Sequence, residues 1–278
     1  MRTETDVDRT IRTALAEGVG DGDVTTDGLV DGGATCRAEL LLKEPGVVCG
    51  LDEAALVFAA CDAEAMLDAA YGDGDAVEDA PARLATVDGP ARAILTAERT
   101  ALNLVGRLSG IATLTRRYVE AIEGTGAVIL DTRKTTPGLR ALEKRAVRCG
   151  GATNHRFGLD DAILVKDNHL RLAGGIAAAV ERLQVAGCGG PIEVEVEDLA
   201  GLEMALEAGA DRILLDNMPL EELRAAVRLT AGRVPLEASG GVSLTTVRAI
   251  AETGVDAISV GALTHSARSL DVSLEVLP

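Results

Sequence analysis

Residues 192–216 read IEVEVEDLAGLEMALEAGADRILLD, and this stretch decides the fold. A short strand candidate comes first, a helical segment rich in Ala, Leu and Glu follows, and a second strand candidate ends at Asp216. Strands of this apolar kind, separated by helical segments, are typical of a parallel α/β sheet or barrel. The stretch therefore predicts one strand–helix–strand unit of such a fold.

The same rhythm continues on both sides of this stretch. Six strand candidates follow Gly126, and each ends in a polar residue or glycine: AVILD at Asp131, AILVK at Lys166, IEVEVE around Glu195, RILLD at Asp216, VPLEAS at Ser239 and AISVG at Gly261. Six units favour an irregular barrel over a regular eightfold one. Because barrel enzymes carry their chemistry where strands end, we expect these six residues to converge on one rim. Each residue alone could instead cap the next helix.

The first hundred residues predict a mixed α+β unit. Helices are expected near 6–17 and 52–62, strands at TCRAELLLKE, GVVCG and ARLATVDG, and a turn at YGDGDAV. Two long helices are expected over 91–110 and 111–126. We expect an N-terminal α+β sandwich domain over residues 1–102, joined by the C-terminal strand 270–278, and an α/β barrel catalytic domain over residues 103–269.

Composition excludes several classes of function. The chain of 278 residues has a formal net charge of -17, two Tyr, two Phe and no Trp. Few aromatic rings and an acidic surface argue against nucleic-acid binding. No apolar run follows Met1, which argues against a signal peptide or a membrane span and predicts a cytoplasmic protein. Arginines outnumber lysines 23 to 4, and with the acidic balance this indicates adaptation to high salt.

The five cysteines form no CxxC pair and have no nearby histidine in the sequence. We therefore expect small buried thiols rather than a structural zinc site or a disulfide framework.

One segment, residues 131–169, is basic within this acidic chain. It contains five Arg and three Lys against five acids. Helical spacing indicates that some of its cations are exposed helix surface, namely Arg140, Lys144, Arg145 and Arg148. Others lie at strand ends and in a loop and are candidate pocket residues, namely Arg133, Lys134, His155, Arg156 and Lys166. Such a cluster predicts a substrate with several negative charges.

Glycines and carboxylates complete the candidate site. Ser239, Gly240 and Gly241, together with Gly261, precede helical segments after the last two strands, where backbone N–H groups bind phosphate in barrels. The strand period of two places Glu193, Glu195 and Glu197 on one face, where buried acids need a cation or hydroxyl partners. Glu195 and Asp216 are therefore candidates for a Mg²⁺ or ribose-hydroxyl site, and pairing with the basic segment is the open alternative.

These residues resemble one enzyme family. The motifs DTRKTTPGLRALEKRAVRCGGATNHRFGLDDAILVKDNH, EVEVE, LLDN, SGG, VGALTHS and ERTALNLVGRLSGIAT are similar to those of quinolinate phosphoribosyltransferases. The resemblance implies that quinolinate and 5-phosphoribosyl-1-diphosphate are converted to nicotinate mononucleotide, CO₂ and diphosphate in de novo NAD biosynthesis. It also implies an open α/β sandwich plus an irregular seven-stranded barrel, one strand more than the six counted.

The resemblance further implies roles for individual residues. Arg133, His155, Arg156 and Lys166 would line the substrate pocket, and Lys134 would reach both ligands. Glu195 and Asp216 would hold ribose hydroxyls and Mg²⁺, so that Lys134, Glu195 and Asp216 are the expected catalytic residues. Ser239, Gly240, Gly261 and His265 match the 5-phosphate region. Arg99 would reach the neighbouring site in a homodimer, or in a hexamer built of dimers.

Three alternatives stay open at this point. A related phosphoribosyltransferase could be nicotinate-specific or the paralogue associated with molybdenum transport, although TNHRFGL and KDNH favour the quinolinate enzyme. A Schiff-base aldolase could use Lys166 at its strand end. An acidic, non-enzymatic scaffold would leave the inward carboxylates and the basic loop unexplained.

Overall fold

The computed structural model describes residues 4–278, except for the side chains of residues 4–6. In chain order the elements up to the long helix are α1 (Glu4–Val19), α2 (Val24–Leu29), β1 (Thr35–Leu42), β2 (Gly46–Val47), α3 (Leu51–Cys61), β3 (Met66–Ala69), β4 (Ala76–Val77), β5 (Ala82–Pro90) and α4 (Ala91–Ala121). The elements that follow are β6 (Val128–Leu130), α5 (Arg140–Cys149), β7 (Ile163–Val165), α6 (Asp167–Ala173), α7 (Ile176–Ala186), β8 (Ile192–Val196), α8 (Leu199–Glu207), β9 (Arg212–Asp216), α9 (Leu220–Thr230), β10 (Leu236–Ser239), α10 (Val247–Ala251), β11 (Ala257–Ser259), α11 (Ala262–His265) and β12 (Val272–Val276).

The chain forms two compact units. The first contains the residues up to Arg116, Thr135–Gly151 and Leu263–Pro278, and the second contains Arg117–Lys134 and Ala152–Ala262. The C-terminal strand β12 pairs antiparallel with β1, within the first unit. The expected division into domains, 1–102 with 270–278 and 103–269, stays a prediction.

The second unit is built on one parallel sheet in the order β6-β11-β10-β9-β8-β7. All six strand candidates of the sequence are present, which confirms the α/β barrel class. Apolar strand residues such as Ile129, Val194, Ile213 and Ile258 are buried, as expected for strands covered on both faces.

A seventh strand is reduced to a single bridge. Thr153 pairs in parallel with Leu130, and its N–H donates to the carbonyl oxygen of Ile129 at 3.0 Å. The sheet therefore extends one step beyond β6, on residues whose sequence, GGATN, carries no strand pattern.

The first unit carries an antiparallel sheet in the order β12-β1-β5-β3, with β2 and β4 as a separate pair. Its strands at β1 and β5 and its helices α1 and α3 match the sequence predictions. The short elements α2, β3 and β4 were not predicted, because runs of two to six residues carry too little periodicity.

The two helices expected over 91–126 are one helix, α4. Its interior glycines serve close packing rather than a break in the helix. A Cβ at Gly110 would lie 1.9 Å from the carbonyl oxygen of Arg268, and one at Gly106 would lie 2.8 Å from that of Leu270. The segment that leads into β12 therefore passes directly over the helix backbone.

The expectation that α5 exposes all its cations was wrong for two of them. Lys144 is buried, and Arg145 forms ion pairs with Glu53 and Asp73, the latter at 2.7 Å. Arg148 is exposed as expected. For Arg145 the difference comes from Glu53 and Asp73, which lie far away in the sequence and so are partners that the local sequence does not reveal. Among residues 4–278 no helix is both long and apolar enough to cross a membrane.

Candidate active site

The carboxyl ends of the parallel strands surround a cavity of about 700 Å³ in the second unit. In the sheet register Ser239 neighbours Asp216, and Ser259 neighbours Leu130, so the strand ends form one edge. The cavity is lined by Asp131, Thr132, Arg133, Lys134, His155, Arg156, Leu159, Leu164, Lys166, His169, Glu195, Leu214, Asp216, Asn217, Glu237, Ser239, Gly240, Gly241 and Ser259. Five of the six strand-end residues expected on one rim are among these; the exception is Gly261.

Two arginines lie close together on one wall. Arg133 donates to the carbonyl oxygen of Gly158 at 3.4 Å, and Arg156 donates to that of Ala162 at 3.3 Å. Burial, and then the charge of Arg133, lower the pKa of Arg156. Two guanidinium groups that repel each other in a partly buried wall favour an anionic ligand, because an anion relieves both desolvation and repulsion.

The loop that carries this wall is fixed by a buried carboxylate at the end of β6. Asp131 is fully buried and accepts hydrogen bonds from the side chain of Asn154, at 2.6 Å, and from the N–H of His155, at 2.8 Å. Asp131 therefore holds this loop in position at the edge of the cavity.

His155 lies between two carboxylates in the interior of the second unit. Its Nε2 is 3.2 Å from Glu193 Oε2 and 3.3 Å from Glu237 Oε2, and both glutamates are buried. We call His155, Glu193 and Glu237 the buried cluster. Ser259 donates a short hydrogen bond to the other oxygen of Glu237.

The ring of His155 experiences opposing influences. Burial acts to lower its pKa, but the two carboxylates outweigh burial and raise the pKa of His155 to about 9. The N–H of Arg156 donates to Nδ1 at 2.8 Å and favours the neutral ring, since a protonated nitrogen cannot accept. Two full charges exceed one amide dipole, so the net direction is upward. Both ring nitrogens are thus engaged by the protein.

The other acids lie at the exposed side of the cavity. Glu195 forms a short ion pair with Lys166, and Asp216 accepts from the side chain of Asn217 at 2.9 Å. Half of the Lys166 side chain is exposed. We call Lys166, Glu195 and Asp216 the open cluster. The sequence left open that the inward-facing acids pair with cations of the basic segment. Glu195 does so, because it pairs with Lys166.

A glycine turn follows β10 at the same edge. Gly240 and Gly241 have φ values of 93° and 61°. A Cβ at Gly240 would lie 2.1 Å from Oδ1 of Asn217, so only glycine fits there. The helix expected directly after this turn begins later, at Val247, and has five residues.

Comparison with protein families finds that one family matches nearly the whole chain. Residues 23–109 match the quinolinate phosphoribosyl transferase N-terminal domain, and residues 111–275 match the C-terminal domain of that family. The chain belongs to the quinolinate phosphoribosyltransferase family.

Individual proteins are also similar to this chain over most of its length. The chain is 46% identical to the nicotinate-nucleotide pyrophosphorylase [carboxylating] of Mycobacterium leprae, over 96% of each chain. It is 44% identical to the probable enzyme of that name from Bacillus subtilis, over 94% of this chain and 90% of the relative. The solved structure of the nicotinate-nucleotide pyrophosphorylase from Francisella tularensis superposes with a TM-score of 0.94 at 43% identity, covering 98% of this chain and 96% of that one.

The structure brings most of the residues that were predicted from resemblance to this quinolinate phosphoribosyltransferase family into one cavity. These are Arg133, Lys134, His155, Arg156, Lys166, Glu195, Asp216, Ser239 and Gly240. Three others are not among the lining residues. Gly261 follows β11, His265 ends α11 with its Nδ1 2.7 Å from Ser266 Oγ, and Arg99 is an exposed residue of α4.

One expected feature of the carboxylate face is wrong. Glu197 follows the end of β8, is exposed and does not line the cavity. Glu195 lines the cavity, and Glu193 is buried beside His155. Strand β8 ends at Val196, one residue before the alternating pattern of apolar and acidic residues ends in the sequence.

Sequence reasoning missed five polar lining residues of this quinolinate phosphoribosyltransferase chain: Thr132, His169, Asn217, Glu237 and Ser259. Two of them carried a usable signal. Glu237 is a carboxylate inside an otherwise apolar strand, and Asn217 follows a strand-end acid and adopts a positive φ of 55°, which asparagine tolerates.

Proposed function

We propose that this chain converts quinolinate and 5-phosphoribosyl-1-diphosphate to nicotinate mononucleotide, CO₂ and diphosphate, in the de novo synthesis of NAD. Membership of the family supports the reaction. The observation that carries it is one cavity in which adjacent guanidinium groups of Arg133 and Arg156 face a rim with the carboxylates Glu195 and Asp216.

The arginine wall suits a pyridine dicarboxylate. Arginine binds carboxylates through paired N–H donors, and two guanidiniums offer one fork to each carboxylate of quinolinate. Lys134, which is exposed and lines the same cavity, adds a compact ammonium for the diphosphate. Nicotinate has a single carboxylate and would relieve only part of the repulsion between the guanidinium groups of Arg133 and Arg156.

The open cluster suits ribosyl transfer. Loss of diphosphate leaves positive charge on the ribose, and a carboxylate held beside it lowers the energy of that state. We assign this role to Glu195, which Lys166 holds in place. Once ribosylated, the pyridine nitrogen is cationic and can accept the electron pair released when the adjacent carboxylate leaves as CO₂. The remaining task of the pocket is to position both substrates.

A Mg²⁺ ion fits the residues at this rim. Glu195 and Asp216 supply carboxylate oxygens, the ligands that Mg²⁺ prefers, and substrate phosphates and waters commonly complete its coordination. When bound, the ion would neutralise charge on the diphosphate leaving group.

The phosphate end of the site is proposed to lie at the glycine turn. Ser239, Gly240 and the residues after β11, Gly261 and His265, are the proposed 5-phosphate region. Turn amides at Gly240 and Gly241, with positive φ values, form the kind of backbone concavity that binds anions.

We propose further that the enzyme works in the cytoplasm as a homodimer, or as a hexamer of dimers, in which Arg99 reaches the neighbouring site. The side chain of Arg99 is 74% exposed, so its guanidinium is available to another subunit. Mixing two inactive variants, Arg99→Ala and Glu195→Gln, should restore activity in mixed dimers that contain one intact site. Equal inactivity of the mixture would exclude sharing of Arg99 between subunits.

The test of the function is a substrate comparison with Mg²⁺ and phosphoribosyl diphosphate. Nicotinate mononucleotide should form with quinolinate and not with nicotinate at the same concentration. Product from nicotinate alone would overturn the proposal in favour of a nicotinate-specific enzyme. Borohydride treatment with a carbonyl substrate should trap no adduct on Lys166, since the Lys166 nitrogen is engaged by Glu195.

A further inference from the structure

A second group of reactive side chains lies in the first unit and takes no part in the proposed reaction. The Sγ atoms of Cys49 and Cys149 lie 3.6 Å and 3.8 Å from one oxygen, Oδ2 of Asp73. These three atoms are all within 4.8 Å of one another. Cysteines from distant parts of the chain are therefore brought together, which the sequence-based expectation of isolated buried thiols did not anticipate.

The backbone holds both cysteines in place. The hydroxyl of Ser109 accepts the N–H of Cys49 and donates to its carbonyl oxygen, both at 3.0 Å. Arg116 donates to the carbonyl oxygen of Gly150 at 3.1 Å and to that of Cys149 at 3.5 Å. These contacts hold the backbones of both cysteines beside each other, with the two sulfur atoms within 4.8 Å.

The two thiols are not equivalent. Cys49 is completely buried, whereas Cys149 is partly exposed at the end of α5. The hydrogen bond from the Cys49 thiol lowers the pKa of Cys149 and outweighs burial and the charge of Asp73, which act to raise it; the Arg145 guanidinium acts in the same direction as the hydrogen bond. The same hydrogen bond, followed by burial, raises the pKa of Cys49. The lower pKa favours the thiolate form at Cys149 over Cys49, and Cys149 is also the thiol that solvent reaches.

We propose that Cys149 and Cys49 are an oxidation site at which hydrogen peroxide produces an intramolecular disulfide. The thiolate of Cys149 attacks one peroxide oxygen, the O–O bond breaks, and the products are a sulfenic acid and hydroxide. The sulfur of Cys49 then attacks the sulfenic sulfur, and the proton of its thiol leaves with the hydroxyl group as water. Each peroxide accepts two electrons, one disulfide forms, and the link joins Cys49, two residues before α3, to the last residue of α5.

Zinc binding is the competing use of the same three side chains. Two thiolates and a carboxylate are zinc ligands. Here, however, Asp73 Oδ2 already lies 2.7 Å from the guanidinium of Arg145, and a divalent cation on that oxygen would lie beside an existing positive charge. Among residues 4–278 the group supplies three ligand atoms rather than the four of a closed structural site. These contacts favour the dithiol.

The experiment uses the full chain, treated with dilute hydrogen peroxide, blocked with an alkylating agent and mapped without reduction. The unfolded protein should show three free thiols after treatment in place of five, with a peptide that joins Cys49 to Cys149. In untreated, folded protein Cys149 should be alkylated at least about tenfold faster than Cys49, because it is the exposed thiolate. The variant Cys188→Ser, which removes an exposed cysteine, is the matched control and should form the same link.

The variant Cys149→Ser should keep all of its remaining thiols under the same treatment, which also covers the case in which Cys49→Ser does not fold. Retention of five thiols, or a link that involves Cys188 instead, would overturn the proposal. So would one equivalent of zinc in the purified protein that is lost in Cys149→Ser, since that result assigns the cluster to metal binding.

Discussion

The open cluster and the buried cluster are two groups of charges in the same barrel, and their partners differ. In the buried cluster every charge faces another protein charge: His155 lies 3.2 and 3.3 Å from Glu193 and Glu237, and both acids are buried. The open cluster keeps Lys166 about half exposed, and Asp216 accepts a hydrogen bond from the neighbouring amide of Asn217. Charges that the protein satisfies itself hold the fold, and charges that remain accessible can hold a ligand.

This difference separates stability from activity. Loss of a buried partner leaves an uncompensated charge, which costs far more than the loss of an exposed pair. Loss of an accessible carboxylate removes an interaction that matters when the transition state forms. Substitutions in the buried cluster should therefore lower stability most, whereas substitutions in the open cluster should lower activity most.

The largest effect is expected in the buried cluster. Glu237→Ala should lower the free energy of unfolding by about 3–5 kcal/mol, because it leaves the buried Ser259 hydroxyl without its acceptor and His155 with one carboxylate in place of two. Glu237→Gln keeps the shape and should cost less. Urea unfolding measures both. A loss below about 1 kcal/mol in Glu237→Ala would mean that the cluster is not a buried ionic network.

The next effect is expected in the open cluster. Glu195→Gln should reduce kcat/KM for ribosyl transfer by about 10²–10³-fold, in the range found when one preorganised electrostatic group is removed. Its unfolding free energy should change by less than about 1 kcal/mol. Glu197→Gln is the matched control, since Glu197 is exposed and does not line the cavity. Equal loss of activity in both variants would remove Glu195 from the proposed role.

The buried cluster should contribute a pH dependence of stability that depends on Glu237. The pKa of His155 rises from 6.5 to about 9 on folding, so its contribution is fully present below pH 6.5 and is lost as the pH rises through about 9. The loss is at most about 3 kcal/mol. Unfolding measured from pH 6 to 10 should show it in the wild type and less of it in Glu237→Gln. An equal slope in both proteins would contradict the cluster as its source.

The smallest effect should come from the glycine turn beside the open cluster. Gly240→Ala places a Cβ 2.1 Å from Asn217 Oδ1 at a φ of 93° and should cost about 1–3 kcal/mol, measured by thermal unfolding with activity followed in parallel. Gly241→Ala is the control, because its φ is also positive but no atom lies within 4 Å. Identical behaviour of the two variants would show that contact with Asn217 does not matter.

The sequence predicted the strands of the barrel because a strand buried on both faces is a local pattern. The bridge at Thr153 was missed because its partner is distant and its own residues show no periodicity. Lys144 and Arg145 were assigned to the surface because helical spacing records which residues share a face, not which acids that face meets.

The candidate site, like the fold, was predicted only in part. Residues at strand ends were found, since parallel topology brings those ends together whatever lies between them. The role of Glu237 was missed because it depends on where the His155 ring lies, and a loop sequence does not reveal that. The number of apolar strands could be counted from the sequence, whereas the pairing of buried charges could not.

The order of ribosyl transfer and decarboxylation can be tested by the yield of CO₂ and nicotinate mononucleotide from quinolinate, with and without phosphoribosyl diphosphate. Ribosyl transfer at the open cluster must come before loss of the carboxylate. Equal amounts of the two products are therefore expected when both substrates and Mg²⁺ are present, and no CO₂ is expected from quinolinate alone. CO₂ released without phosphoribosyl diphosphate, or mononucleotide formed without CO₂, would contradict this order.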